Sequence, residues 1–351
     1  MKRFVLVSFI LGVLTLTQAA NSPVSQVQEP LSPQLTQEDA ALFSETYHLW
    51  KTHGNKLWMG WSEIQIPMLY ITADYEYAIG FPKTMPGFQP FRTAVLPDEK
   101  IQVRKRILDP ELSASFDIEG IDAVVIGRPT AIGRSSSEWV ITAIHEMFHV
   151  WQTSKGADQK VAELQLGSVS DASWQLNYPF PYKDADVMRL IHLQSYLIYL
   201  AATNTDDESM KYNAGTALEA VDTYRSALKR QDATGHLYDY SKFQEWVEGI
   251  AFYTELQMAK AAADVNYQPT EAFRRLPNFK SYQQLWEEKY KNKIFLAKHA
   301  GRTARSRTAF YGVGLGKGLL LDRLMPDWKK HYFDGNVWLD DLLARALSEQ
   351  N

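Results

Sequence analysis

The sequence contains no cysteine, so disulfide bonds play no part in its stability. Disulfides are optional even outside the cytosol, and a chain of 351 residues can bury a sufficient core without them. No segment reaches the roughly 20 consecutive apolar residues that a membrane-spanning helix requires. Basic residues are slightly outnumbered, with 37 Lys and Arg against 41 Asp and Glu. This balance gives no indication of binding to nucleic acid or to an anionic membrane.

The first 20 residues have the composition of a secretory signal peptide. A short basic start is followed by an apolar run over residues 4–16 and then by small residues. This order predicts cleavage after Ala19 or Ala20, with no stable membrane anchor afterwards. Because no cysteine follows, we expect no lipoprotein anchor. The mature protein is therefore expected in the periplasm or as a secreted protein.

The rest of the chain has strand signals early and helix signals late. The Ser-, Pro- and Gln-rich stretch 21–35 is typical of a flexible leader. Residues 36–130 contain a capped helix and several β-branched and aromatic runs, including a strand pair with its turn near Ala73 and Asp74. Residues 131–351 are mainly helical in pattern. We predict an α+β fold in which a small N-terminal lobe faces a larger helical lobe.

The strongest functional signal is the sequence H-E-M-F-H at 145–149. Residues four apart lie on one face of a helix, so His145 and His149 can bind the same Zn²⁺. Glu146 can accept a proton from a zinc-bound water, whose pKa the metal lowers to ~7. Apolar residues surround the motif, and buried His and Glu side chains need partners. The alternative is a pair of core histidines bonded to backbone, with Glu146 in a salt bridge.

A catalytic zinc site needs a third protein ligand. Gln152 and Lys155 stand where the metzincin pattern requires Gly and His, which excludes that class. Glu248 is the preferred candidate, since it lies in a mixed apolar segment and Gly249 allows another backbone to come close. The simpler interpretation of Glu248 is a solvated helix residue that shares a face with Glu255. The other candidates for third ligand are His192, Glu163 and Glu219.

The motifs H-E-x-x-H at 145–149 and E-G-x-A-x-Y-x-E at 248–255 together resemble the gluzincins, zinc peptidases of the thermolysin and membrane alanyl aminopeptidase type. The resemblance implies a zincin-like fold with the metal site between the two lobes. It also implies that His145, His149 and Glu248 bind Zn²⁺, that Glu146 is the general base, and that the substrate is a peptide or protein. Two features depart from the pattern, namely the long interval 150–247 and Phe252 in place of the thermolysin-type Asp.

Tyr311 is the candidate for stabilising the oxyanion of the transition state. It precedes a predicted helix, and Tyr311-x-x-Gly314 resembles the Y-x-x-G-A run of aminopeptidase-type gluzincins, whose Tyr serves the transition state. A structural tyrosine that packs a Gly-rich helix start is the alternative.

The resemblance further implies that the strand over 121–127 is the edge strand on which the substrate backbone pairs. Two groups of arginines lie near these elements, and either could hold a substrate carboxylate. Solvated basic loops are the simpler interpretation of both groups. The arginines are Arg128 and Arg134 near the strand, and Arg302, Arg305 and Arg307 before Tyr311.

These signals together predict an exported zinc-dependent hydrolase, preferably a metallopeptidase. Two alternatives stay open. One is an exported binding or structural protein that keeps the fold without catalysis, although the intact Glu146 favours an enzyme. The other is a zinc hydrolase that acts on a non-peptide bond, such as an ester or epoxide.

Overall fold

The computed structural model describes residues 32–168, 173–303 and 306–349. An initial helix is followed by a sheet and then by a long run of helices, which confirms the α+β prediction. The predicted signal peptide and most of the predicted leader lie outside the described residues. No helix in the described ranges is both long enough and apolar enough to cross a bilayer.

The strands of the described chain form one six-stranded sheet in the order β3-β4-β2-β1-β6-β5. The predicted strand pair is confirmed, because β1 and β2 form an antiparallel hairpin. The two strands β1 and β6 run parallel to each other. The strands are β1 (Met68–Ile71), β2 (Tyr75–Ile79), β3 (Gln89–Phe91), β4 (Ile101–Lys105), β5 (Ser113–Ile118) and β6 (Ile121–Gly127).

The prediction that the strand over 121–127 is a sheet edge is wrong. That strand is β6, and it lies between β1 and β5, so β5 occupies the edge. The two central residues of the β5–β6 turn, Glu119 and Gly120, have φ values of 56° and 84°. Positive φ at both positions is the geometry of a tight two-residue hairpin, which folds β5 directly back onto β6.

Helices make up most of the remaining structure and surround α2. A π-helix at Glu245–Gly249 joins α7 to α8 without a break, because its flanking residues keep right-handed helical backbone angles. The helices are α1 (Gln37–Leu57), α2 (Ser136–Ser154), α3 (Ala157–Leu164), α4 (Ser173–Asn177), α5 (Ala185–Thr203), α6 (Asp207–Gln231), α7 (His236–Gln244), α8 (Ile250–Ala262), α9 (Glu271–Arg274), α10 (Tyr282–His299), α11 (Thr308–Leu324) and α12 (Leu339–Ser348).

Helix α2 is fixed by a capping box and by burial on most of its surface. The Ser135 side chain accepts a hydrogen bond from the backbone of Glu138, while the Glu138 carboxylate accepts one from the backbone of Ser135. Trp139 donates to the Gly127 carbonyl at the end of β6, at 2.7 Å. The helix packs against β5 and β6 as well as against α1 and α8. These contacts place the middle of α2 in the molecular core.

The π-helix meets α11 through two glycines in direct backbone contact. A Cβ atom added to Gly249 would lie only 2.5 Å from the Cα of Gly314, so a larger residue would separate the two elements. This close approach agrees with the role predicted for Gly249. Lys317 of α11 reinforces the contact, since its buried ammonium lies 2.5 Å from both Glu245 and Asp340.

Candidate metal centre

His145, His149 and Glu248 converge in the core. The two Nε2 atoms of the histidines are 3.0 Å apart, and Glu248 Oε2 lies 3.9 Å from His145 Nε2 and 3.6 Å from His149 Nε2. The three residues are 3 %, 1 % and 0 % exposed, respectively. This buried group could hold a metal ion. The alternative of a solvated Glu248 is therefore wrong, because the π-helix turns this carboxylate into the protein.

The separations suit a single small cation. Two ligand atoms bound at ~2.1 Å to a tetrahedral ion lie about 3.4 Å apart. Three further polar atoms, His145 Nδ1, Glu146 Oε2 and the Tyr311 hydroxyl, are buried and form no hydrogen bond of normal geometry among the described residues, although His145 Nδ1 faces Glu255 and the hydroxyl lies near Glu248. Buried polar atoms are normally hydrogen-bonded, so these three atoms could form hydrogen bonds to a bound water or substrate.

The other three candidates for third ligand do not join this group. Glu163 and Glu219 are exposed, on α3 and α6. His192 lies on α5, where its ring stacks on that of His299 with centroids 6.3 Å apart.

His149 is held by Gln152, one turn further along α2. The Gln152 Oε1 atom lies 2.7 Å from His149 Nδ1, on the side of the ring away from the convergent atoms. The Gln152 amide nitrogen donates to the Val247 carbonyl at 2.9 Å, so the same side chain reaches the π-helix. The sequence pattern indicated only that Gln152 is incompatible with a metzincin, and it did not predict this contact with His149.

Glu255 of α8 faces His145, with 3.5 Å between its Oε2 atom and His145 Nδ1. Two lysines of α10 surround the carboxylate, with Lys289 at 2.5 Å and Lys293 at 2.8 Å. Burial alone would raise the pKa of Glu255, but the two lysine charges hold it well below its usual range. A charged, fixed carboxylate therefore lies behind His145.

Arg307 binds the outer oxygen of Glu248. Its Nη1 atom lies 3.3 Å from Glu248 Oε1, while Oε2 faces the histidines. Burial would raise the pKa of Glu248, but its interaction with His149 and the charge of Arg307 lower the pKa to about 2. Burial lowers the pKa of His145. Burial also acts to lower the pKa of His149, but the combined interactions with Glu248, Glu146 and Gln152 raise it.

Glu146 points toward the edge strand of the sheet. Ser113, the first residue of β5, donates a hydrogen bond from its hydroxyl to Glu146 Oε1 at 3.1 Å. Burial raises the pKa of Glu146 to about 8, and Glu248 and Glu255 are among the charges that act on it. Glu146 therefore lies beside the candidate ligands without being one of them.

Tyr311 lies in the first turn of α11, which begins at Thr308 rather than at the expected Gly312. Its ring packs edge-on against Phe252, with centroids 5.0 Å apart. Burial raises the pKa of the hydroxyl well above its ordinary value, and the nearby Glu248 carboxylate raises it further. The structure thus brings Tyr311 to the same cluster as the four residues of α2 and the π-helix.

The arginines proposed from the sequence are dispersed. Arg128 forms an ion pair with Asp39, with 2.7 Å between Nη2 and the carboxylate, so it is not part of a freely solvated basic loop. Its suggested role toward a substrate carboxylate stays a prediction. Arg134 is partly exposed, Arg302 is exposed, and Arg305 lies outside the described residues. Arg307 is buried against Glu248 instead of forming a solvated loop.

Comparisons with models of protein families, with curated protein sequences and with solved structures gave no match. The side chains themselves are the available indication of function. Two nitrogens and one oxygen converge, each supported by a polar neighbour, and a separate buried carboxylate and a tyrosine hydroxyl lie beside them.

Proposed function

We propose that this protein is a zinc-dependent hydrolase with a zincin-like organisation, and that its substrate is a peptide or protein. The observation that carries the proposal is the convergence of His145, His149 and Glu248 beside Glu146, which is held apart from them by Ser113. Two imidazoles and one carboxylate are a ligand set used by catalytic zinc sites that keep a position open. A purely structural site would have no use for an additional buried carboxylate.

Each nearby residue has a role in this proposal. His145, His149 and Glu248 would hold the ion, and a bound Zn²⁺ would supply Lewis-acid polarisation of a carbonyl and a lowered pKa for water. Glu146 would accept the proton from the attacking water, with its carboxylate oriented by the Ser113 hydroxyl. Burial raises the pKa of Glu146 to about 8, and the positive charge of a bound Zn²⁺ would lower it and so favour the ionised form that a base requires.

Tyr311 would donate a hydrogen bond to the oxyanion that develops at the substrate carbonyl. Its raised pKa keeps the hydroxyl protonated, which a donor requires. The hydroxyl lies near the Glu248 carboxylate but forms no hydrogen bond of normal geometry among the described residues, so its proton is open to a substrate oxygen. Preorganised donors of this kind contribute about 3–4 kcal/mol to lowering a barrier.

The same chemistry applies to other carbonyl compounds, so ester hydrolysis is the second candidate and is included in the test. We also propose that the protein is exported to the periplasm or secreted. This part of the proposal is supported only by the composition of the first 20 residues.

The variant Glu146→Gln tests the proposal. It preserves the size of the side chain and removes the base, so zinc content should stay at the wild-type level while hydrolysis falls by about 10²–10⁴-fold. Zinc is measured by mass spectrometry, and activity on a peptide mixture and a series of aryl esters. Glu163→Gln, which changes an exposed glutamate of α3, is the matched control and should leave both quantities unchanged.

Two outcomes would contradict the proposal. Full hydrolysis by Glu146→Gln would remove the assigned base. A zinc-loaded wild-type protein that cleaves neither peptides nor esters would favour a binding or structural role.

A further inference from the structure

We propose that Gln152 is a positioning residue that sets the tautomer of His149 and couples α2 to the π-helix carrying Glu248. The proposal rests on the proposed function for its metal, but the tautomer itself is a property of the folded chain. Gln152 is 0 % exposed, so its amide is restricted to partners within the protein.

The partners of the amide nitrogen fix its orientation. Gln152 Nε2 lies 2.9 Å from the Val247 carbonyl and 2.7 Å from the Tyr332 hydroxyl oxygen. Tyr332 uses its own proton to donate to the Trp246 carbonyl at 2.5 Å, so toward Gln152 its oxygen accepts. Both groups therefore require a donor, and the NH₂ end of the amide must face them. The amide oxygen is left to face His149.

This orientation determines the protonation of His149. An amide oxygen only accepts hydrogen bonds, and Gln152 Oε1 lies 2.7 Å from His149 Nδ1. The proton of the neutral ring must then be on Nδ1, which leaves Nε2 with a lone pair toward Glu248 and His145. Only an unprotonated nitrogen can bind a metal ion.

The same side chain connects two ligand-bearing elements that are far apart in sequence. Its oxygen binds the ring of His149 on α2, and its nitrogen binds the carbonyl of Val247, the residue before Glu248. A shift of the π-helix would pull on Gln152 and thereby on the His149 ring. The corresponding partner of His145 is Glu255 of α8, but it lies 3.5 Å from His145 Nδ1, a longer contact than the 2.7 Å between Gln152 and His149.

Nitrogen-15 NMR of histidine-labelled, metal-free protein tests the tautomer at a pH above the raised pKa of His149, where its ring is neutral. The variant His149→Asn is used to assign the His149 signals. We expect the proton on Nδ1 in the wild type. Gln152→Leu removes the acceptor, so the preference should disappear and the dissociation constant for Zn²⁺, measured by chelator competition, should rise 10–100-fold. Gln152→Glu retains an acceptor oxygen toward His149 but loses the donor to Val247 and Tyr332, so it should retain the tautomer while stability falls.

Tyr332→Phe is the matched control, because Tyr332 contacts the nitrogen end of the amide and not His149. It should keep the Nδ1 proton even if stability falls. A neutral wild-type ring with its proton on Nε2 would overturn the proposal, as would a Gln152→Leu variant with the wild-type tautomer and zinc affinity. If Gln152→Leu does not fold, the wild type and Gln152→Glu still decide the question.

Failure of the hydrolase proposal is distinguishable from failure of this one. A protein that hydrolyses nothing but carries the Nδ1 proton on His149 and loses zinc affinity in Gln152→Leu would leave the role of Gln152 intact.

Discussion

Each candidate ligand is supported by a polar group on the side away from the other ligands. Gln152 supports His149, Glu255 faces His145, and Arg307 binds Glu248. Partners of this kind orient ligand side chains, and their loss commonly weakens metal binding by about tenfold or more. The residues of the site thus form two layers, of which the outer one includes buried charges that also affect stability.

Glu255→Gln should destabilise the metal-free protein by about 3–5 kcal/mol, because it leaves Lys293 and Lys289 without a countercharge in a buried position. Urea unfolding in the presence of a chelator measures the change. The control is Glu271→Gln, which removes one partner of an exposed ion pair with Arg275 and should cost less than about 1 kcal/mol. Equal losses in the two variants would show that the buried lysines do not depend on Glu255.

At the residue scale, the sequence predicts contacts between side chains whose spacing along a helix places them next to each other. The helical period places His145 and His149 on one face, and the same i, i+3 logic could have connected Gln152 to His149. The ion pairs of Glu255 could not be predicted, because nothing in its own segment encodes Lys289 and Lys293, which approach it from α10. Charges contributed by distant helices are invisible to a local pattern.

At the scale of elements, the critical feature is the crossing of the π-helix and α11. The contact between Gly249 and Gly314 brings two backbones together, and it places Glu248 and Tyr311 on neighbouring surfaces. π-Helical turns are rare and occur frequently at functional sites. The extra residue in the turn changes which side chains face inward, and in this case Glu245 and Glu248 are both buried.

Gly314→Ala should push the π-helix away from α11, since an added Cβ would collide with the backbone of Glu245 and Gly249. Overpacking of this kind typically costs about 1–3 kcal/mol, and zinc affinity should fall with it. Gly215→Ala in α6 is the control, because its Cβ would meet no atom within 4 Å. That variant should be stabilised by about 0.5–1 kcal/mol. Thermal unfolding followed by circular dichroism measures the change in stability, and chelator competition measures the change in zinc affinity.

Element boundaries are predictable where a cap and helical periodicity coincide, as at the start of α2 with its capping box. The edge strand was assigned wrongly, since β6 has the apolar run of an interior strand and β5 is too polar to be recognised as its partner. The π-helix also escaped prediction, because a single inserted residue leaves the apolar pattern of the segment nearly unchanged.

At the scale of the whole molecule, the main apolar cluster extends from α1 through one face of the sheet and into the helices. Phe43 and Tyr70 pack against Trp139 of α2, so aromatic contacts cross the proposed boundary near residue 130. The division into two lobes at that position stays a prediction. Composition and the order of strand and helix signals were sufficient to predict the α+β class. The order of strands in the sheet could not be predicted, because it depends on pairing between strands that are distant in sequence.

Zinc should stabilise the whole molecule, because the ligands hold α2 and the π-helix together only in the folded state. At a free zinc concentration 100 times the dissociation constant, the free energy of unfolding should increase by about 2.7 kcal/mol. Thermal unfolding in zinc-buffered solutions measures the effect. Glu248→Ala should abolish most of the increase, and an unchanged unfolding temperature in the wild type would argue against a metal at this position.

The interval of residues 150–247 between the second and third candidate ligands has a consequence for the order of assembly. A newly made chain reaches Glu248 only after α3 to α7 have been synthesised, and the π-helix must then return to α2 through a contact of high sequence separation. Contacts of this kind form slowly, because a long loop must close first. Metal capture would therefore be a late event that reports completed folding, and a chain truncated before Glu248 would have two imidazoles but no complete binding set.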